Sequence, residues 1–231
     1  DGTYSDRTKY RMIKVTIHEV GHNFFPMIVN SDERQWTWMD EGLNSYMEML
    51  AELDYDKDFP ITRGYPKNIV KYMNGDQARI APIMSKGDHV YSFGNNAYGK
   101  PATALWILRE TIMGRELFDH AFKTYAQRWK FKHPTPADFF RSMEDASAMD
   151  LDWFWRGWFY TTDVTDIGIK TVKKFYTKEG ANDRVQFIED TTKGAAFGVG
   201  KKVNSKFFYE ITFNKPGGLV MPIIVEFTYK D

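Results

Sequence analysis

A chain of 231 residues, 42% hydrophobic and 16% aromatic, can hold one large packed domain or two modest ones. Lysine plus arginine and aspartate plus glutamate each number 31, so the formal net charge is zero and no basic surplus argues for a nucleic acid or an anionic membrane as partner. There is no cysteine for a disulfide framework, and no apolar run long enough to span a bilayer or serve as a signal peptide.

Residues 10–17 carry Met12, Ile13 and Ile17 at helical spacing, and Pro26 closes the segment, which predicts a first helix. Its C-terminal end reads His18-Glu19-Val20-Gly21-His22. Side chains four apart leave one face of a helix about 6 Å apart along the axis, so His18 and His22 can both reach one ion at about 2.0–2.1 Å. Glu19 lies about 100° round the helix from His18, near enough to touch a water at that ion without being a ligand. Residues 38–53 place Met39, Leu43, Met47 and Leu50 on one stripe, which predicts a second helix, and that helix carries Glu41 in the string WMDEG after eighteen intervening residues. Two imidazoles and one carboxylate leave the fourth position of a Zn2+ ion open, as a catalytic site requires. Glu48, two helical turns beyond Glu41, faces the same way; it either accepts a hydrogen bond from the free ring nitrogen of a zinc histidine or is a solvated charge. Asp40 and Asn44 flank the ligand with no assigned chemistry.

Residues 54–98 read as loop, with a short helix near 67–73. ATALWILRETIM is helical and Gly114 stops it; residues 116–130 follow, with Phe118, Phe122, Tyr125 and Trp129 as a core stripe. Thr135 reads as an N-cap and Pro136 as the first helical residue after it. Beyond Thr165 the period changes: IGIKTVKKFYT, RVQFIED, KFFYEITF and PIIVEFTY read as strands, with Asn-Lys-Pro-Gly-Gly as a turn between the last two. The expected fold class is α+β, a mainly helical region over 1–164 followed by a small antiparallel β unit over 165–231. His89, His120 and His133 lack ligand spacing and read as structural or surface residues. Arg63, Arg79 and Arg109 are candidates to meet a substrate carboxylate, and nothing in the sequence selects among them.

HEVGH, the spacer and WMDEGLNSYME resemble the HExxH, spacer and W-x-[ND]-E-G-x-x-x-Y pattern of the gluzincin aminopeptidases, the aminopeptidase N family. Tyr98-Gly99-Lys100-Pro101, eighty residues after His18, is similar to that family's Tyr-x-Lys-Gly string, with Pro101 in place of the usual glycine. LDWFWRGWFY looks like the aromatic segment that closes the family's catalytic domain. The resemblance implies a zincin-type catalytic subdomain followed by a β-sandwich-like unit, one zinc ion, and hydrolysis of peptide or protein substrates, most readily as an aminopeptidase. It implies Glu19 as general base and Tyr98 as the catalytic tyrosine that stabilises the oxyanion. Family members carry a β-rich domain and half the catalytic domain upstream of the zinc helix, so the chain is expected to be the C-terminal part of a larger enzyme whose upstream domains are missing. The compartment stays open, a secreted, periplasmic or cell-envelope parent being favoured over a cytoplasmic one. The family's Gly-x-Met-Glu-Asn loop, which grips the substrate's free amine, has no match here, so endopeptidase action also stays open. The alternative is a non-catalytic peptide- or protein-binding module that keeps the zinc scaffold; the joint presence of His18, Glu19, His22, Glu41 and Tyr98 argues against it.

Overall fold

A computed structural model describes residues 2–179, 185–189 and 207–228. The chain divides into two compact units, Asp1–Val164 with Leu219–Asp231, and Thr165–Gly218.

The first unit is helical. Helix α1 (Asp6–Gly21) starts at Ser5, whose hydroxyl accepts from the Thr8 N–H at 3.2 Å, with Asp6 in the first turn where negative charge suits the dipole. A wide turn (Trp38–Gly42) leads into α2 (Leu43–Tyr55), followed by α3 (Pro66–Met73). A second wide turn (Gly94–Gly99) leads into α4 (Lys100–Ile107), then come α5 (Arg115–Trp129), α6 (Pro136–Ser147) and α7 (Asp152–Tyr160). Helix α6 opens as expected: Pro136 sits in the first turn and the Thr135 N–H donates to Asp138 Oδ2 at 2.9 Å.

The core of this unit is built from rings. Phe118, Phe122 and Tyr125 of α5 meet Phe139 and Phe140 of α6 and Trp155 and Phe159 of α7. Trp38 contacts three of these helical rings, with centroids 5.6 Å from Phe139, 5.9 Å from Phe140 and 4.8 Å from Phe159. Such contacts are worth about 0.5–1.5 kcal/mol each beyond the area they bury. They pin the turn that carries Glu41. Helix α4 is apolar nearly all round, as a helix enclosed by others must be; Ala102, Ala104 and Leu105 are fully buried.

Two expected stripes fall differently. On α1 Ile13 and Ile17 are half-buried as the spacing expects but Met12 is 64% exposed, and the helix also meets α2 through Lys14, His18 and Gly21. On α2 the buried face is Leu43, Tyr46 and Met49, and Met47 points out.

The second unit shows, among its described residues, one antiparallel sheet of order β2-β1-β3, with β1 Gly168–Glu179, β2 Val185–Glu189 and β3 Phe207–Asn214. Phe175 lies opposite Glu189 on one side and Phe208 on the other, and the register slips between Ile169 and Thr171. The fourth expected strand, PIIVEFTY, is not a strand over residues 222–228, and Tyr229 lies outside the described residues. Leu219, just before it, is buried in the helical core, its N–H bonds the Val164 carbonyl at 3.2 Å, and Met221 sulfur accepts from Trp158 Nε1 at 3.3 Å. Gly157 makes room, since a Cβ there would lie 2.7 Å from Leu219 Cδ1. The β unit therefore ends at Gly218 instead of running to residue 231.

Replacing Trp38 by alanine is expected to cost about 3–5 kcal/mol of unfolding free energy. Denaturant titration measures this, and a cost below 1 kcal/mol would mean that the ring cluster does not hold the Glu41 turn.

Candidate active site

Three elements converge on the site. Helix α1 crosses α2 where fully buried Asn44 donates from Nδ2 to the His18 carbonyl at 2.7 Å. Gly21 permits the approach: a Cβ there would sit 2.0 Å from Asn44 Oδ1. The turn that ends in Tyr98 and Gly99 comes equally close. A Cβ on Gly42 would lie 2.6 Å from Pro101 Cγ and 2.9 Å from the Ala97 carbonyl oxygen, so Pro101 packs directly against the segment that bears Glu41. Lys100 is buried and donates to the Thr161 carbonyl at 3.1 Å, and burial lowers its pKa to about 8.

The crossing brings His18, His22 and Glu41 together. His18 Nε2 is 3.1 Å from His22 Nε2 and 3.1 Å from Glu41 Oε2, and His22 Nε2 is 3.4 Å from that same oxygen. Ligand atoms 2.0–2.1 Å from a tetrahedral ion lie roughly 3.3 Å apart, so this triangle fits one zinc ion. The outer nitrogens support the fit. His18 Nδ1 is 2.7 Å from Glu48 Oε2, and His22 Nδ1 is 2.9 Å from the Phe25 carbonyl and 3.0 Å from Asp40 Oδ1. These partners are acceptors, so the rings carry hydrogen on Nδ1 and turn the Nε2 lone pairs to a common point.

Behind His18 the charges continue. Glu48 also pairs with Lys14, whose ammonium lies 3.1 Å from Glu52 Oε1, and both glutamates are buried. Burial works against a charged Glu48, but the His18 hydrogen bond and Lys14 prevail and hold its pKa below the ordinary range. Glu52 goes the other way: burial first, then the charge of Glu48, push it up to about 7 against the pull of Lys14. Glu41 is held low by His18 and Tyr98 despite its burial. Asp40 is pushed up to about 7 by burial and by its neighbour Glu41. His18 is raised to about 9, chiefly by its hydrogen bonds to Glu41 and Glu48.

Tyr98 faces this group. Its hydroxyl donates to Glu41 Oε1 at 2.5 Å, and its ring stacks on His18 with centroids 5.8 Å apart. Burial and the adjacent Glu41 raise its pKa, so the phenol keeps its proton at neutral pH. The Arg63 guanidinium lies 4.3 Å from the centre of the same ring. Glu19 is exposed next to His18 on α1. His89 and His133 are exposed, and His120 lies on the solvent side of α5.

The spacing of His18, His22 and Glu41 predicts their meeting, but it does not reveal Asn44, Asp40 or Lys14. A signal for Lys14 exists: Lys14, His18 and His22 recur every four residues on α1, and Glu48 and Glu52 are four apart on α2, so two charged faces can meet along crossing helices. Asn44 shows only as a polar residue inside an apolar stripe, and Asp40 has no sequence signal.

The model of the peptidase family M1 domain matches residues 1–158. This chain belongs to peptidase family M1. Among curated M1 relatives it is 25% identical over 183 residues to glutamyl aminopeptidase of Sus scrofa, covering 74% of this chain and 19% of the relative. It is 29% identical over 164 residues to leucine aminopeptidase 2 of Emericella nidulans, covering 64% of this chain and 26% of the relative. This M1 chain thus spans about a fifth to a quarter of the length of those relatives. Two solved structures share the fold. An M1 zinc metallopeptidase of Deinococcus radiodurans bound to a Tyr-Ser-Ala substrate aligns with a TM-score of 0.52 at 17% identity, covering 66% of this chain and 34% of that one. Aminopeptidase A of Legionella pneumophila in complex with aspartic acid aligns with a TM-score of 0.53 at 12% identity, covering 90% and 25%.

Alanine in place of glycine within a helix ordinarily stabilises by about 1 kcal/mol. At Gly21 the sign should reverse, with a loss of about 1–3 kcal/mol as Asn44 is displaced. A thermal melt of Gly21→Ala decides it, and a raised melting temperature would contradict the close helix crossing.

Proposed function

We propose that this chain carries the catalytic centre of a zinc-dependent peptidase that hydrolyses peptide bonds, acting as an aminopeptidase on peptide or protein substrates. The observation that carries the reading is the 3.1–3.4 Å triangle of two imidazole nitrogens and a carboxylate oxygen, backed by acceptors on both outer nitrogens. His18, His22 and Glu41 would hold one zinc ion. When bound, the ion supplies Lewis acidity, lowering the pKa of a water from 15.7 to about 7 and polarising the scissile carbonyl.

The chain's own residues supply the rest. Glu19 takes a proton from the attacking water and returns it to the departing amine, so the C–N bond breaks as the carboxylate forms. Tyr98, kept protonated by its raised pKa, gives up its bond to Glu41 and donates to the oxyanion of the tetrahedral intermediate. One such donor is worth roughly 3–4 kcal/mol. Glu48 holds the His18 ring in its working tautomer, and Lys14 holds Glu48. All of these residues lie on the helical unit; the β unit contributes none of them. The aminopeptidase assignment follows the names of the relatives and is tested by comparing free-amine with N-blocked peptides; equal hydrolysis of both would make the enzyme an endopeptidase.

Metal analysis should find one zinc per chain, lost in His22→Ala. Glu19→Gln should keep the zinc and lose about 10²–10⁴-fold in kcat, and Tyr98→Phe about 10²–10³-fold. Zinc content without any hydrolysis of free-amine or blocked peptides would leave a zinc-binding scaffold only.

To serve as a ligand, His18 would also have to give up a proton. With that ring's metal-free pKa raised to about 9, the proton is bound below pH 9 and absent above it. Apparent zinc affinity, read by competition with a chromophoric chelator, should therefore rise about tenfold per pH unit from 7 to 9 and then level off. A flat profile over that interval would mean that zinc binding releases no proton from His18.

A further inference from the structure

We propose that Arg63 binds a carboxylate of the substrate, either the C-terminal carboxyl group of a short peptide or the side chain of an aspartate or glutamate beside the scissile bond. The inference rests on the peptidase reading above, whose centre Arg63 adjoins.

The structure selects this arginine from the three that the sequence leaves equal. Arg109 is committed to Asp119, with Nε and an Nη at 2.7 and 2.9 Å, and to Glu110 at 2.9 Å. Arg79 lies at the surface 3.6 Å from Asp76. Arg63 has no carboxylate partner among the described residues, yet it is half-buried and its guanidinium lies 4.3 Å from the centre of the Tyr98 ring. The hydroxyl of that ring is 2.5 Å from Glu41, so the guanidinium stands one aromatic ring away from the zinc ligands.

Its position is fixed from behind. Gly64 has a φ of +94°, and a Cβ there would lie 2.1 Å from the sulfur of Met49, which is buried on α2. The backbone at 63–64 is therefore pressed against the helix that Glu41 leads into. A guanidinium packed on a ring by cation–π attraction keeps its N–H donors in its own plane, free to accept a planar two-oxygen anion. None of those donors is used in a hydrogen bond among the described residues, whereas a partly buried cation favours a partner. A peptidase substrate brings one in the form of a carboxylate.

The test uses four dipeptides: Ala-Gln amide as the neutral reference, Ala-Gln with a free C-terminus, Ala-Glu amide, and Glu-Ala amide. Arg63→Gln should raise KM roughly 10- to 100-fold for the peptide whose carboxylate Arg63 meets, with kcat and the neutral reference changed less than twofold. Arg63→Lys should recover only part of the loss. Which peptide responds tells a terminal from a side-chain carboxylate. An equal fall in kcat on all four would overturn the proposal, because it would make Arg63 a support for Tyr98 alone; so would no change on any. If the wild-type chain hydrolyses none of them, the peptidase reading fails by itself. The same peptides are then titrated calorimetrically: a carboxylate preference abolished in Arg63→Gln supports the anion site, and no preference overturns it.

Discussion

The close crossing of α1 over α2 is the constraint on which the site depends. It is set by a missing side chain at Gly21 and a buried amide at Asn44, and it leaves the two backbones near enough for the His18 carbonyl to be held from the opposite helix. Separation by even the width of a methyl group would carry Glu41 away from the histidines and Glu48 away from His18. Glycine at position 21 therefore belongs to the geometry of the triangle as much as His18, His22 and Glu41 do, although it supplies none of its atoms.

Around that crossing the protein concentrates negative charge. Asp40, Glu41, Glu48 and Glu52 are buried or half-buried, and Lys14 is the cation that faces Glu48 and Glu52 directly. The raised pKa of His18 is the local response, a ring that takes a proton because two carboxylates flank it. A divalent cation meets the same demand more fully. Electrostatics thus favour a bound metal quite apart from coordination chemistry, and the neighbouring acids at Asp40 and Glu52 lie near neutrality because they share one field.

The meeting of His18, His22 and Glu41 was legible in the sequence because helical geometry is rigid: a spacing of four residues dictates one face, and the WMDEG string puts Glu41 at the start of a second apolar-striped helix. The opening of α6 at Thr135 and Pro136 was legible for the same local reason. What escaped depended on contacts distant in sequence. Met12 reads as one stripe with Ile13 and Ile17, but it alone of the three is exposed, and α1 is held to α2 by charge and by one amide that the apolar pattern does not show. PIIVEFTY has the alternation of a strand, but Leu219 just before it is captured by the helical core beside Gly157, which alternation cannot disclose. Arg63 lies 35 residues before Tyr98, and only the fold shows that they touch.

Trp38 joins the ring cluster three residues before Glu41. One of the three atoms of the triangle is thereby tethered to the interior through a span too short to flex independently, and His22 is tethered likewise through Phe25, which is buried against Phe122 and Tyr125 three residues further on, while the outer side of α1 is open to solvent. Both His22 and Glu41 should therefore share the opening free energy of the whole helical unit, whereas the first turns of α1 can open on their own. Fraying that starts at the exposed first turns of α1 then reaches His18 before it reaches His22 or Glu41.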